Sequence, residues 1–262
     1  MSDGAAVRTT VNGGVLEVVL DRPKANAIDA STSQELGRVF AGFRDDPSLR
    51  VAVFTGAGDR FFSAGWDLGA AADGEEFEAD YGEGGLCGFG ELPRRNKPVG
   101  CAVNGLAVGG GFEIALAAEF VVAAEHAEFF LPEASLGIIP DAGAIRLPRI
   151  LPPAVATEVL IGGRRLDAQE AERWGLVNRV VPATDLRAAA LELAGRISAS
   201  APLAVEAVLA IDRATRHLSL EEAFAYLRSG DLEAYERMLA SKDAQEGLQA
   251  FVEKRDPHWQ GS

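Results

Sequence analysis

Three consecutive glycines, Gly109–Gly111, immediately precede an apolar stretch, Phe112–Ala118, that is typical of a buried helix. We therefore expect the glycines to form the N-terminus of this helix, where backbone N–H groups have no partner within the helix and stabilise negative charge. Glu113 lies beside these donors, and Glu133 follows twenty positions later. The sequence thus predicts a site suited to acid–base chemistry on an activated carbonyl compound, which requires such donors together with carboxylates.

Composition limits the classes of protein to which this chain can belong. Its 262 residues, 48% hydrophobic and 24% charged, are typical of a soluble globular protein with a substantial core. The formal net charge of −14 disfavours nucleic-acid binding. Glu113 and Glu119 interrupt the best candidate for a membrane span, and the start, Met1–Gly4, lacks the features of a signal peptide. We therefore expect a cytoplasmic protein that binds neither nucleic acid nor membranes.

The residues of most other catalytic classes are scarce. No nucleophilic-serine, zinc-protease or phosphate-loop motif occurs, and the few histidines and cysteines lack metal-ligand spacing, so no metal site is expected. Carboxylates are therefore the best acid–base candidates, although Glu113 and Glu133 taken alone are more simply explained as capping or solvated surface groups. The histidines and cysteines are His126, His217, His258, Cys87 and Cys101.

Short apolar segments alternate with amphipathic ones up to about residue 180, which predicts an α/β fold with buried strands. Asn12–Gly14 is typical of a hairpin turn, and Ser31 is expected to cap a helix that ends near Arg44. We expect an α/β core of residues 1–180 followed by a helical region of residues 181–262. The predicted strands are 7–11, 15–20, 51–55, 98–103, 120–123 and 128–131. The predicted later helices are 167–174, 184–200, 202–215, 219–239 and 242–253.

The segment Gly69–Glu91 differs from the rest in composition. It carries seven acidic residues and a series of closely spaced glycines. Its first part is expected to form a short helix, and the composition of the rest is typical of a mobile flap. Cys87 lies in this segment and is expected to sit in a flexible loop.

A series of short motifs runs through nearly the whole chain in a fixed order. They are 20–27 (LDRPKANA), 61–68 (FFSAGWDL), 97–98 (KP), 104–105 (NG), 109–113 (GGGFE), 131–133 (LPE), 136–140 (LGIIP), 160–164 (LIGGR) and 174–177 (WGLV). In this set and order, the chain resembles the crotonase, or enoyl-CoA hydratase/isomerase, superfamily. The resemblance implies a crotonase fold, an α/β spiral of β-β-α units with a helical C-terminal trimerisation region, assembled as a homotrimer or a dimer of trimers.

Four further segments, 22–30 (RPKANAIDA), 43–47 (FRDDP), 63–68 (SAGWDL) and 253–259 (EKRDPHW), are similar to the carnitinyl-CoA dehydratase subgroup of that family. This resemblance implies a hydro-lyase that interconverts carnitinyl-CoA and crotonobetainyl-CoA. A general short-chain enoyl-CoA hydratase and a non-catalytic binding protein with the same fold stay open as alternatives.

The resemblance also implies the residues that do the chemistry. The family's oxyanion hole corresponds to the backbone N–H groups of Trp66 and Gly110, and its two acid–base groups correspond to Glu113 and Glu133. We assign water mainly to Glu113 and the Cα proton mainly to Glu133, but the order within the pair stays open because close carboxylates titrate together. No separate cofactor is implied, since coenzyme A is part of the acyl-CoA substrate.

Two backbone segments hold the adenine and pantetheine of CoA in the family, and two residues of the final helix resemble residues that reach CoA from a neighbouring subunit. For Lys24 and Lys254 a solvated surface position is the alternative. The implied CoA-binding residues are Lys24, Ala25, Ala27, Ala64, Asp67, Leu68, Phe251 and Lys254.

Carnitinyl-CoA carries a trimethylammonium group, and such cations favour aromatic faces and nearby negative charge. Trp66, Tyr81 and Phe89 are candidates for contacting this group, with the acidic segment supplying the field. The alternative is that Trp66 is a packed core residue and the acidic side chains are merely solvated.

Asp141 is interpreted either as a third carboxylate near the pocket or as the N-cap of a helix over 142–150. The family usually shows Pro-x-x-Gly-Gly-x-x-Arg-Leu-Pro at this place. The segment Pro140–Pro148 is one residue shorter and holds a single glycine, so its backbone is expected to depart from the family pattern.

Overall fold

The chain folds into three sheets with helices packed against them, as seen in a computed structural model that describes residues 5–262. Met1–Gly4, from which the lack of a signal peptide is predicted, lie outside the described residues. The strands are β1 (Val7–Asn12), β2 (Val15–Leu20), β3 (Ala27–Ile28), β4 (Val51–Gly56), β5 (Phe61–Ser63), β6 (Gly65–Trp66), β7 (Val99–Val103), β8 (Leu106–Val108), β9 (Phe120–Ala124), β10 (Glu128–Phe130), β11 (Leu166–Asp167) and β12 (Arg179–Val181). The α-helices are α1 (Ala30–Asp45), α2 (Leu68–Ala72), α3 (Gly110–Ala117), α4 (Asp141–Arg146), α5 (Pro153–Leu160), α6 (Ala168–Arg173), α7 (Leu186–Ser198), α8 (Pro202–Thr215), α9 (Leu220–Leu227), α10 (Glu233–Leu239) and α11 (Lys242–Glu253). Short 3₁₀ helices cover Glu133–Leu136, Leu147–Arg149 and Ala183–Asp185.

The largest sheet has six strands in the order β1-β2-β4-β7-β9-β12. Its first two strands form an antiparallel hairpin in which Asn12 pairs with Val15, and Gly13 in the turn has the positive φ of +59° that two-residue turns need. The other neighbouring strands are parallel. Because parallel strands are covered on both faces, β7 and β9 are buried along their whole length. The hairpin and the buried strands predicted from the sequence are confirmed.

The second sheet positions the candidate site. Its strands have the order β11-β10-β8-β5, and β8 is parallel to both β5 and β10. Val108 at the end of β8 pairs with Phe130 at the end of β10. The two chain segments that leave this edge are the glycine run before α3 and the segment that reaches Glu133. The pairing of β8 with β10 therefore brings the segment that contains Glu113 close to the segment that contains Glu133.

Two apolar clusters cover opposite faces of the six-stranded sheet, because successive strand residues alternate between the faces. One cluster contains Phe54 of β4 together with Phe40 of α1 and Phe112 of α3. The other contains Val53 of β4 together with Ala190 of α7. Full burial of a side chain such as Phe54 contributes about 1.5–3 kcal/mol. Helix α7 thus packs on the sheet, whereas the division of the chain at residue 180 stays a prediction.

The first long helix begins earlier than predicted. Asp29, rather than Ser31, is the N-cap of α1, and its Oδ1 accepts a hydrogen bond from Thr32 N at 2.8 Å. The Oδ2 atom of Asp29 also accepts a hydrogen bond from Arg22 Nη2, so this carboxylate links the start of the helix to the preceding loop. The Ser31 hydroxyl instead donates to Asp29 Oδ1. The prediction of a Ser31 cap was wrong because two good capping residues stand two positions apart.

The helix predicted over 219–239 is broken in two. Gly230, with φ of +84°, lies between α9 and α10 and takes a conformation that a continuous helix does not allow. The capping box predicted at Ser219 is present, since Ser219 Oγ accepts from Glu222 N while the Glu222 carboxylate accepts from Ser219 N. The bounds of α8 and α11 agree with the prediction.

The segment Gly69–Glu91 is not a free flap over its second half. The Ser33 hydroxyl contacts the carbonyl oxygens of Tyr81 and Gly85 at 2.8 and 2.9 Å, and Cys87 is buried. Gly88 packs so closely on α1 that a β-carbon there would lie 2.5 Å from a backbone atom of Leu36. The prediction of a flexible loop around Cys87 was therefore wrong, because the glycines serve close packing rather than mobility.

Among residues 5–262, no single helix is long and apolar enough to cross a membrane. One bent pair of helical segments, Ala183–Ser198 with Pro202–Thr215, passes the test by length and composition only.

Candidate active site

A cavity of about 530 Å³ opens at the edge where β8 and β10 end. Four stretches of the chain contribute to its lining, within residues 64–68, 77–91, 108–117 and 132–146. Glu113 and Glu133 both line it. The two glutamates that the sequence singled out are thus brought into one cavity, which excludes the interpretation of both as unconnected surface charges.

The glycine run determines how closely the two glutamates approach. Gly109 N donates to Phe130 O at 3.0 Å, which fixes the start of α3 against β10. Gly109 has φ of +54°, and a β-carbon at this position would lie 2.6 Å from Glu133 Oε1. Only glycine accepts both the backbone conformation and this contact. Helix α3 begins at Gly110, two residues earlier than its apolar run predicts.

The backbone segments of the predicted oxyanion hole touch each other. Gly65 has φ of +73°, and a β-carbon there would overlap Gly110 N. A β-carbon at Gly110 would in turn lie 3.5 Å from Trp66 N. Gly110 is the first residue of α3, so its N–H is not part of the helix ladder. The structure therefore places Trp66 N beside a free helix N-terminal donor at the cavity wall.

Two buried polar residues support this backbone and were not identified from the sequence. The hydroxyl of Ser63 donates to Asn26 O at 2.7 Å and accepts from Gly65 N at 3.0 Å. The amide of Asn26 donates to Ala57 O and Phe61 O. Asn26 lies in the motif 20–27 and Ser63 in the motif 61–68. Their hydrogen bonds join the two motifs, which explains why polar side chains are buried here.

Burial raises the pKa of Glu113 to about 7. The negative charges of Asp141 and Glu133 act in the same direction, whereas the backbone N–H of Gly143, which donates to Glu113 Oε1 at 2.6 Å, lowers the pKa. Burial, assisted by the charge of Asp141, also raises the pKa of Glu133. A carboxyl group with a pKa close to neutrality, such as that of Glu113, is suited to both accepting and donating protons.

Glu133 Oε2 is buried and, within the described part of the chain, has no hydrogen-bond partner. The whole residue is 8% exposed. A buried carboxylate oxygen without a donor is costly, so this environment favours the protonated form of Glu133. Each glutamate also has one backbone donor that favours its ionised form, the N–H of Gly143 for Glu113 and its own N–H for Glu133. Both groups therefore hold a proton more tightly than a free carboxyl group does, and they differ in that only Glu133 has a buried oxygen without a donor.

Replacing Glu113 by glutamine is expected to stabilise the protein at neutral and higher pH. Because the pKa rises from 4.5 to about 7 on folding, the stability that the neutral carboxyl contributes is present at low pH and is lost as the pH rises towards 7. Glu113→Gln should increase the free energy of unfolding by up to about 3 kcal/mol at pH about 8, and by little at pH about 5. Denaturant unfolding at both pH values measures this, with Glu125→Gln on the surface as control. An equal effect at both pH values would contradict the assignment of a raised pKa.

The two segments that the resemblance assigns to CoA lie side by side. Ala64 N donates to Ala25 O at 2.9 Å, and Ala27 pairs with Gly65 in the small parallel sheet of β3 and β6. Ala64 and Leu68 also line the cavity, whereas Lys24 is exposed outside it. These segments form a continuous strip of backbone that leads into the cavity.

The side chain of Asp67 is engaged within the protein. Its Oδ2 accepts from Arg22 Nη1 at 2.7 Å, and its Oδ1 accepts from Gly69 N at 2.9 Å as the N-cap of α2. Asp67 is therefore held by Arg22, which also binds Asp29. At the other end of the chain, Phe251 is 85% exposed on α11 and Lys254 is exposed just after it. Neither is among the residues that line the cavity of the same chain.

The aromatic candidates of the sequence separate into two groups. Trp66 and Tyr81 line the cavity. Phe89 does not, because it is fully buried with its ring 4.7 Å from that of Phe40, and its proposed contact with the substrate was wrong. Phe77, which the sequence analysis missed, lines the cavity and packs edge-on against Trp66.

The shortened segment Pro140–Pro148 forms α4 and a 3₁₀ turn. Pro140, rather than Asp141, is the N-cap, so the capping interpretation of Asp141 was wrong. Asp141 lines the cavity as a third carboxylate. The single glycine of the segment, Gly143, is the residue that donates to Glu113.

A family model described as Enoyl-CoA hydratase/isomerase matches residues 10–262. A carnitinyl-CoA dehydratase from Proteus mirabilis (strain HI4320) is 59% identical over 257 residues, which are 98% of this chain and 98% of that protein. A carnitinyl-CoA dehydratase from Escherichia coli (strain K12) is 58% identical over 257 residues, with the same coverage.

Solved structures are similar over the same length. An enoyl-CoA hydratase from Mycobacterium tuberculosis H37Rv has a TM-score of 0.90 and 36% identity, and it covers 99% of this chain and 100% of its own. A probable enoyl-CoA hydratase/isomerase from Mycobacterium abscessus has a TM-score of 0.89 and 39% identity, with full coverage of both chains. These similarities confirm the crotonase fold that the sequence motifs imply.

Proposed function

Because the chain belongs to the enoyl-CoA hydratase/isomerase family, we propose that it adds water reversibly to the double bond of a short enoyl-CoA thioester and that its natural pair is carnitinyl-CoA and crotonobetainyl-CoA. One observation supports the proposed type of reaction. Two carboxyl groups with raised pKa values, Glu113 and Glu133, line one cavity beside the free N-terminus of α3. The names of the relatives at 58–59% identity support the choice of acyl group.

The proposed oxyanion hole consists of Trp66 N–H and Gly110 N–H. Addition of water to the double bond places negative charge on the thioester oxygen, which gives an enolate. Two fixed main-chain donors stabilise that charge without rearrangement, and one such donor is typically worth about 3–4 kcal/mol. The contact of Gly65 with Gly110 N supports this proposal, because it sets the spacing of the two donor segments.

In the hydration direction, ionised Glu113 removes a proton from water while the oxygen of that water forms a bond to Cβ. The electron pair of the double bond moves to the thioester oxygen, and protonated Glu133 then delivers its proton to Cα. The sum is the addition of H and OH, and exchange with solvent returns both carboxyl groups to their starting states. The buried oxygen of Glu133 that has no donor supports this order, because it favours a protonated Glu133. Dehydration follows the same steps in reverse.

The remaining parts of the proposal concern CoA and assembly. We assign CoA to the paired segments 24–27 and 64–68, with Phe251 and Lys254 supplied by a neighbouring subunit of a homotrimer or a dimer of trimers. The exposure of Leu248, Phe251 and Val252, each more than 70%, supports a role for α11 in contacts between subunits. A cytoplasmic location stays a prediction.

The purified protein is expected to hydrate crotonobetainyl-CoA with kcat/KM at least about tenfold higher than for crotonyl-CoA, because a cationic acyl group gains interactions that a methyl group lacks. The loss of enoyl-thioester absorbance measures both rates. Equal rates, or a preference for crotonyl-CoA, would favour the general short-chain hydratase. No turnover of either thioester would favour the non-catalytic binding protein.

A further inference from the structure

Three aromatic side chains on one side of the cavity form what we call the aromatic wall: Trp66, Phe77 and Tyr81. The rings of Trp66 and Phe77 meet edge to face, with centroids 5.4 Å apart and planes at 80°. Phe77 lines the cavity and is 37% exposed. The wall therefore presents ring surface to whatever occupies the cavity.

A single carboxylate, that of Glu75, lies behind two of these rings. Its Oε1 accepts from Trp66 Nε1 at 2.9 Å and from the Tyr81 hydroxyl at 3.5 Å. Its Oε2 accepts a hydrogen bond from Ala30 N at 2.9 Å. Ala30 is the first residue of α1, so its N–H has no acceptor within the helix. Glu75 thus fixes the indole by its N–H edge and places a negative charge next to the wall.

The titratable side chains that line the cavity are mostly acidic, and those away from the protonated Glu133 add negative charge near the wall. Among the described residues, six acidic side chains line the cavity, against one basic side chain, Arg146. Arg146 is engaged with Gly90 O at 2.7 Å. The acidic residues are Glu78, Asp80, Glu91, Glu113, Glu133 and Asp141. Such a cavity favours a cation over a neutral group of equal size.

We propose that the aromatic wall, with the carboxylate of Glu75 behind it, is the binding site for the quaternary ammonium group at the end of the acyl chain. This inference rests on the proposed function and extends it to the part of the substrate that no hydratase of neutral acyl chains has to recognise. A trimethylammonium group has no N–H to donate, so it is bound by ring faces and by nearby negative charge rather than by hydrogen bonds. Glu75 acts as a positioning residue for Trp66 and as a source of that charge.

The decisive comparison uses two thioesters of the same shape. Crotonobetainyl-CoA and 5,5-dimethylhex-2-enoyl-CoA differ in one atom, the quaternary nitrogen against a quaternary carbon. We expect the wild-type protein to prefer the cation by about fivefold to thirtyfold in kcat/KM, which is the range of cation–π recognition in a desolvated site. Equal kcat/KM values for the two would overturn the inference.

Three substitutions locate the source of the preference. Phe77→Leu and Tyr81→Leu remove ring surface, and Glu75→Gln keeps an acceptor for Trp66 while it removes the charge. Each is expected to reduce the ratio of the two kcat/KM values by about threefold or more, mainly through the cationic substrate. Phe224→Leu, which removes an exposed ring outside the cavity lining, is the matched control and should leave the ratio unchanged. Equal losses with both substrates in all three variants would show a purely structural role and overturn the inference.

Calorimetry separates this inference from the proposed function. Butyrobetainyl-CoA and 5,5-dimethylhexanoyl-CoA are saturated analogues that bind without turnover. Tighter binding of the cation by wild type, reduced in Glu75→Gln, would support the inference even if no enoyl-CoA were hydrated. Hydration of both enoyl thioesters together with equal affinity for the two saturated analogues would leave the proposed reaction standing and overturn the inference.

Discussion

Replacing Glu133 by glutamine is expected to lower kcat for hydration by about 10²- to 10⁴-fold, the usual contribution of a general acid or base. Glutamine has nearly the shape of the protonated carboxyl group but cannot deliver its proton to Cα. Glu133 Oε2 is buried and has no hydrogen-bond partner in the described chain, so no neighbouring side chain is in contact with it to supply a proton in its place. KM should change little, because Glu133 is proposed to act on the reacting atoms rather than on CoA. Steady-state kinetics with crotonobetainyl-CoA measure both parameters.

Glu128→Gln serves as the control for this substitution. Glu128 belongs to the same strand-to-turn region as Glu133, but it is partly exposed and paired with Arg165 at 3.1 Å. Its replacement should leave kcat within about twofold of wild type, since surface ion pairs are worth little. A Glu133→Gln protein that retained more than about a tenth of wild-type kcat would contradict the proposed acid–base role.

Replacing Gly65 by alanine is expected to lower kcat by about 10²- to 10³-fold, the cost of losing one oxyanion-hole donor. The new methyl group would overlap Gly110 N, so the segments that carry the two proposed donors must move apart. The thioester oxygen then loses at least one of the two contacts that stabilise its charge. The effect should appear in kcat for both cationic and neutral enoyl thioesters, because the oxyanion is common to them.

Gly175→Ala is the matched control, because it separates backbone strain from the clash. Gly175 has φ of +78°, close to the +73° of Gly65, but no atom beyond its adjacent residues lies within 4 Å of the position that a β-carbon would take. A left-handed alanine costs about 1–2 kcal/mol in stability at either position. Only Gly65→Ala should also lose activity when the two are compared below their melting temperatures. Equal activities in the two variants would contradict the proposed oxyanion hole.

The sequence was sufficient for much of the fold because parallel, fully buried strands have an unambiguous pattern. The apolar runs of β7 and β9 and the bounds of α8 and α11 agree with the structure. The ordered motifs, through the family resemblance, also indicated that Glu113 and Glu133 share one site, but only the pairing of β8 with β10 explains why residues twenty apart share a cavity.

Other features depended on tertiary contacts that no local pattern reveals. Phe77 and Phe89 both lie in one acidic, glycine-rich segment, yet Phe89 is fully buried in the core whereas Phe77 faces the cavity. The difference arises because Gly88 packs against α1 and draws the second half of the segment inwards. The contacts of Glu75 were equally hidden, because it lies outside any helix or strand and its partners Trp66 and Ala30 are 9 and 45 residues away in the sequence.

The central claim is that a thioester enolate forms in this cavity, held by the proposed main-chain donors and protonated by Glu133. Exchange of the Cα hydrogens of saturated butyrobetainyl-CoA with deuterium from D₂O, followed by NMR or mass spectrometry, tests it without requiring the hydration step. We expect wild type to catalyse the exchange and both Glu133→Gln and Gly65→Ala to slow it by about 10²-fold or more. Exchange at the wild-type rate in both variants would contradict the account.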